Sequence, residues 1–181
     1  MLRYEDVTVR KFKADDILLK IKWVNDPNNN RYLHYDLPLE YEKTCRWFET
    51  VKTRTDRYDG VIEYNGKPVG LVGLLGIDQK NRKAEEYVLI GETTARGKGI
   101  SIKAGYLSAV LGFQNYGLEK IYAYIEVGNE PSLRRFLRLG YHVEGYLRHD
   151  LYFNGRFVDR YLVGMCHREF DCPEGVCVEE D

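Results

Sequence analysis

The chain has 181 residues, 44% of them hydrophobic and 30% charged, with a formal net charge of −1, which fits one soluble domain with a substantial core. That charge balance argues against a general nucleic-acid binder. No apolar run approaches the ~18 residues of a membrane span, and "MLRYEDVTVRKF" lacks the apolar stretch of a signal peptide, so a cytoplasmic protein without nucleic-acid or membrane partners is expected.

In chain order, "VTVRKF" (Val7 to Phe12) reads as a strand, and Asp15 to Val24 as a helix with an acid at its cap and apolar residues at helical spacing. "NDPNNNRYLHYDLPLE" is turn-rich and aromatic, the place for a variable binding surface, and a second helix runs from about Glu40 to Thr53. Asn65-Gly66, between two strand-like runs, is the strongest hairpin signal in the chain. "AEEYVLIG" is a further strand and ends beside the loop "TARGKGISIKA". The helix after it, from about Lys98 to Tyr116, carries Ile100, Ala104, Leu107 and Leu111 on one stripe.

Glu119 to Val127 is a strand; Asn129 caps a helix to about Leu139 with Pro131 in its first turn, and Gly140 ends it. Arg134, Arg135 and Arg138 on that helix read as a solvated face. Two last strands meet at Asn154-Gly155. The order is βααβββαβαββ, an α/β chain with a mixed, mostly antiparallel sheet, one parallel pair joined by a right-handed crossover, and helices on both faces.

The domain is expected to span 1–167, leaving 168–181 as an acidic, fraying tail with six acids against one base. Cys45 reads as a helix packing residue, and Cys166, Cys172 and Cys177 beside His167 as free thiols, since their spacing matches no zinc pattern. No metal is expected.

Gly97 and Gly99 around Lys98 free a turn from Cβ clashes just before a helix, which is how a chain offers bare N–H groups to a phosphate. A Walker loop is excluded by Glu92 and Gly99 at two of its required positions. A dinucleotide fingerprint fails at Ile102 and lacks its acidic second strand.

What remains, Arg96-Gly97-Lys98-Gly99-Ile100-Ser101 after "EEYVLIGETTA", then Asn129, Gly140-Tyr141 and "NGRFVDRYLVGM" in order, resembles the GCN5-related N-acetyltransferase superfamily, the group with ribosomal-protein alanine, spermidine and nucleotide-sugar acetyltransferases. The likeness covers about Val7 to Met165 and is densest from Ala84. It implies the acyl-CoA N-acyltransferase fold and acetyl-CoA as cosubstrate. Its diphosphate would lie on the N–H groups of Gly97, Lys98, Gly99, Ile100 and Ser101, with Arg96 bracing the loop. Its pantetheine arm would run along Val88, Leu89 and Ile90 in a splayed strand pair, with Asn129 opposite. Dimerisation is common among such proteins, so a homodimer is an option.

An alkylamine with pKa near 10 is mostly protonated at neutral pH, so a base must take its proton before it attacks. The resemblance points to Glu86, which alternation puts on the face of Val88 and Ile90 with Glu85 opposite, and to the Ile90 N–H for the oxyanion. Where many relatives carry a tyrosine to protonate the leaving thiolate, this chain has Phe136; Tyr141 or water is the substitute, or the acid is dispensed with. Trp23, Asn25, Arg31, Tyr32 and His34 are the candidates for binding the acceptor. The function expected is direct acetyl transfer to a primary amine of a small molecule, an amino-sugar nucleotide or polyamine. The alternatives are a protein N-terminus as acceptor and a CoA-sensing module without catalysis.

Overall fold

The computed structural model describes residues 1–178. One nine-stranded sheet runs through it, made of β1 (Leu2–Tyr4), β2 (Val7–Lys11), β3 (Arg57–Tyr64), β4 (Lys67–Asp78), β5 (Lys83–Ile90), β6 (Lys120–Glu126), β7 (His142–Phe153), β8 (Arg156–Cys166) and β9 (Val176–Val178). They lie in the order β7-β8-β6-β5-β4-β3-β2-β1-β9. The helices are α1 (Ile17–Asn25), α2 (Pro27–Asn30), α3 (Tyr41–Val51), α4 (Ile100–Val110) and α5 (Glu130–Arg138). Among the described residues no helix is long and apolar enough to cross a membrane.

Both Asn-Gly turns form as the sequence predicts, with φ of 49° and 72° at Asn65-Gly66 and 48° and 77° at Asn154-Gly155. Two positive φ angles are what a two-residue hairpin turn demands, and Asn and Gly tolerate them. The strands on either side then pair directly, Tyr64 with Lys67 and Phe153 with Arg156.

β5 and β6 are the one parallel pair among the described strands. Their register covers only Lys83–Glu85 against Lys120–Tyr122, while β5 continues to Ile90 in partnership with β4 alone. The strands therefore part beyond Glu85, and a gap opens between them. Alternation sorts β5 across the sheet. Ala84, Val88 and Ile90 join the core that includes α4, whereas Tyr87 and Leu89 pack with Phe12, Ile17 and Trp23 under α1 and α3.

The structure departs from the sequence reading at the ends of elements and adds three short ones, β1, α2 and β9. α4 starts at Ile100 rather than Lys98, because Gly97 and Gly99 hold φ of 78° and 76° and cannot belong to a right-handed helix. α2 lies within the stretch expected as turns; Asp26 caps it by accepting from the Asn28 N–H at 2.9 Å, with Pro27 in its first turn. The acidic segment is not outside the fold up to residue 178: β9 pairs antiparallel with β1, Val176 opposite Tyr4. Phe170 packs on Phe113 at 5.4 Å between ring centres. The remainder of the expected tail, 179–181, lies outside the described residues. The four cysteines are free, and no three His, Cys, Asp or Glu side chains gather into a metal-holding group among the described residues.

Candidate active site

At the mouth of α4 the Gly99 carbonyl takes the first helical bonds, from Ile102 at 3.0 Å and Lys103 at 3.2 Å. The N–H groups of Gly99, Ile100 and Ser101 stand outside that ladder, as the first donors of any helix do. They carry the positive end of the helix dipole. A Cβ built on Gly97 or Gly99 would meet nothing within 4 Å, so the loop is open on its outer side and is not filled by its own side chains.

Arg96 holds the loop in place. Its guanidinium donates to the Asn29 Oδ1 and to the Asn28 carbonyl at 3.3 Å. Buried Asn29 in turn donates to the carbonyls of Trp23 and Gly91, each at 2.9 Å. One amide thus ties the end of α1 to the end of β5, and Arg96 fastens the glycine loop to both. Asn28 and Asn29 escaped the sequence reading, because within "PNNNR" nothing separates a bracing asparagine from a turn residue.

A groove of about 480 Å³ leads from this mouth along β5. Val88, Leu89, Ile90, Arg96, Gly97, Gly99, Ile100, Ser101 and Asn129 line it. Lys98 is the exception: its Nζ lies 5.5 Å above the Tyr64 ring, turned toward β3. The Gly91 N–H donates to Val69 on β4 at 2.9 Å. Along a strand successive N–H groups point to opposite edges, so those of Ile90 and Val88 face the gap between β5 and β6. Asn129 caps α5, its side chain 3.4 Å from the Ser132 N–H.

Glu86 does not fit the role of an accessible base. It is 2% exposed. Arg135 Nη2 donates to its Oε1 at 2.7 Å and the Tyr141 hydroxyl to its Oε2 at 2.6 Å. The sequence placed it on the correct face, but Arg135 of α5 and Tyr141, just before β7, close over its carboxylate there. Arg135, expected on a solvated surface, is buried, and its Nε also donates to the Ser101 carbonyl at 3.0 Å. Burial and the adjacent Glu86 charge raise the Tyr141 pKa well above the ordinary tyrosine value, and its proton is already committed to Glu86. Tyr141 is therefore no acid for a thiolate. Phe136 is 3% exposed and meets Tyr141 edge-on at 4.9 Å, a core residue.

Glu85 points to the opposite face, as alternation requires; burial raises its carboxyl, and the charge of Arg160 partly offsets that.

Of the acceptor candidates, two are structural. Trp23 is 1% exposed and donates to Glu92 Oε1 at 2.7 Å. Its ring lies so close to Gly91 that an added Cβ would fall 2.1 Å from Trp23 Cγ. Asn25 uses both ends of its amide on the Leu39 backbone, at 2.7 and 3.0 Å, and so pins the loop 26–40.

Arg31, Tyr32 and His34 do line cavities. The Tyr32 hydroxyl donates to the Gly128 carbonyl at 2.8 Å, latching the loop over the end of β6. Beside the loop lie a cavity of about 420 Å³ with Arg31, His34, Asp36, Glu126, Phe153 and Arg156 in its walls, and one of about 230 Å³ reaching Arg57 and Tyr87. Leu33 is common to both cavities and to the groove. Glu126, Phe153 and Arg156 were missed because they come from strands far along the chain, where a single charged or aromatic residue carries no local signal.

Comparison with known proteins agrees with this architecture. Residues 6–142 match the family model described as an acetyltransferase (GNAT) domain. The spermidine N(1)-acetyltransferase of Escherichia coli K12 is 34% identical over 106 residues, 59% of this chain and 55% of that protein, so the matched segment spans about half of that relative. The uncharacterized N-acetyltransferase p20 of Bacillus licheniformis is 25% identical over 174 residues, covering 92% of this chain and 96% of its own. Among solved structures, the spermidine N-acetyltransferase of Vibrio cholerae in complex with CoA and spermine superposes with a TM-score of 0.84 at 23% identity, over 92% of this chain and 98% of that one. With the glycine-mouthed helix, the parted strand pair and the groove between them, the chain belongs to the GNAT acetyltransferase family.

Proposed function

We propose that this protein is an acetyl-CoA-dependent N-acetyltransferase that passes the acetyl group directly to a primary amine of a small molecule of the polyamine type. One observation carries the reading: the open mouth of α4 and the gap beside β5 are the two ends of a single groove, and that groove meets a further cavity at Leu33. The mouth fits a diphosphate, because Gly97 and Gly99 leave their outer side bare while free N–H groups converge there. An amide-bearing arm suits the unpaired edge of β5, where it bonds like an added strand. The Ile90 N–H faces the same gap, as a donor for a developing oxyanion should.

The loop 26–40 favours a small acceptor. A peptide N-terminus needs an open trough, whereas here the loop 26–40 is pinned at Asn25 and latched at Tyr32. A small amine fits beside a loop fixed in this way, and the spermidine acetyltransferases among the relatives favour a polyamine. Without a tyrosine at Phe136, the departing thiolate takes its proton from the attacking nitrogen.

Turnover followed by free-thiol release, with spermidine, spermine, an amino-sugar nucleotide and an alanine-starting peptide, tests this. A polyamine should give the highest kcat/KM. Preference for the peptide would overturn the acceptor assignment, and failure with every amine despite CoA binding would favour the sensor.

A further inference from the structure

With Glu86 sealed under α5, the proton on the acceptor's ammonium needs another destination, and the acceptor cavity offers one. His34 and Glu126, 92 residues apart in sequence, meet at 3.1 Å between Nε2 and Oε2. Glu126 comes from the last position of β6, its side chain is 7% exposed, and its other oxygen accepts from Arg156 Nη2 at 2.8 Å. A carboxylate held this way is an acceptor, so the imidazole nitrogen facing it carries the hydrogen. In the neutral ring Nδ1 then has the free lone pair. Nδ1 makes no hydrogen bond among the described residues, and Phe153, edge-on at 5.1 Å, fixes the ring's orientation. The imidazole, 26% exposed, is in the wall of both cavities, one residue from Leu33 at their junction with the groove.

We propose that His34 is the general base for acetyl transfer, with Glu126 as the positioning residue that fixes its tautomer. The inference rests on the acetyltransferase reading above. The substrate ammonium gives one proton to Nδ1, and the lone pair so freed forms the C–N bond at the thioester carbonyl. The C–S bond then breaks with its electrons going to sulfur, the nitrogen's surplus proton passes to that thiolate, and the amide and free thiol leave. The imidazolium finally returns its proton to water. The other charged groups facing this cavity are Arg31 and Asp36 from the same loop and Arg156 from β8. Arg156 is spent on Glu126.

The test compares His34→Ala, Glu126→Gln and Glu85→Gln with the wild type, using spermidine and acetyl-CoA, with CoA binding followed by calorimetry. H34A should lose about 100-fold or more in kcat, as expected for a general base, with CoA affinity unchanged and part of the rate restored by added imidazole. E126Q should lose less, and its acid limb in the pH profile of kcat/KM should move. E85Q should stay close to wild type. An H34A kcat within threefold of wild type, or a large loss in E85Q with none in H34A, would overturn the assignment to His34 alone. A wild type that acetylates no amine overturns both readings.

Discussion

Replacing Glu86 by alanine should destabilise the protein by about 3–5 kcal/mol, because it leaves the Arg135 guanidinium charged and unpaired in the interior. Arg135 is 7% exposed, and its Nη1 already lacks a protein partner among the described residues, so no neighbouring side chain takes over from the carboxylate. The pair does not act locally: through the Arg135 bond to Ser101 and the Tyr141 bond to Glu86 it joins α4, α5, β5 and the residue just before β7. A loss of that size corresponds to a fall in Tm of roughly 10 °C for a chain of this length. Glu86→Gln removes the charge but keeps a carbonyl oxygen, and should cost less. Replacing Glu86 and Arg135 by methionine together with Tyr141→Phe should recover most of the loss, since well-packed apolar groups often substitute for a buried pair and no buried hydroxyl is then left unpaired. Thermal and denaturant unfolding measure all three. The same variants separate structure from chemistry. E86Q should keep its pH profile, whereas a 100-fold fall in kcat at unchanged stability would show that substrate reaches this carboxylate.

Gly99→Val should weaken CoA binding by about 10–100-fold. Gly99 stands at the N-cap of α4 with φ of 76°, where a left-handed conformation costs an L-residue about 1–2 kcal/mol and a β-branched one more. The space beside it is open, so the damage is not a clash. The strained residue reorients the peptide planes whose N–H groups form the mouth, and its branched side chain covers them. Lys98→Ala should do far less, because Lys98 is turned toward Tyr64. Calorimetry on both variants is the check; equal affinity for wild type and G99V would remove the mouth of α4 from the binding site.

How far the sequence could be read depended on the range of the interactions involved. Asn65-Gly66 and Asn154-Gly155 specify their own turns through φ, and the order of the strands around them followed. The glycine loop was readable for the same reason, since its conformation and its open N–H groups are properties of six consecutive residues. Glu86 marks the limit. Period-two alternation gave its face, but what covers that face comes from residues 49 and 55 positions away. The His34–Glu126 contact is of the same kind, with neither residue carrying a local mark of the other. Trp23 and Asn25 looked like binding residues because aromatic and amide groups serve packing and recognition equally well, and only the contacts with Gly91 and Leu39 separate the two. The acidic end of the chain was misjudged through its charge: strand β9 is held by backbone pairing with β1, which composition does not report.

The central claim, that the helix mouth and the β5 gap together hold coenzyme A, is tested most directly by calorimetric titration of the folded protein with CoA and, in parallel, with pantetheine, which lacks the diphosphate and the adenosine 3′-phosphate beyond it. Saturable uptake of one CoA per chain is expected, with pantetheine binding about 100-fold more weakly or worse, as the loss of several charge-assisted hydrogen bonds requires. Absence of CoA binding by folded protein, or equal affinity for the two ligands, would contradict it.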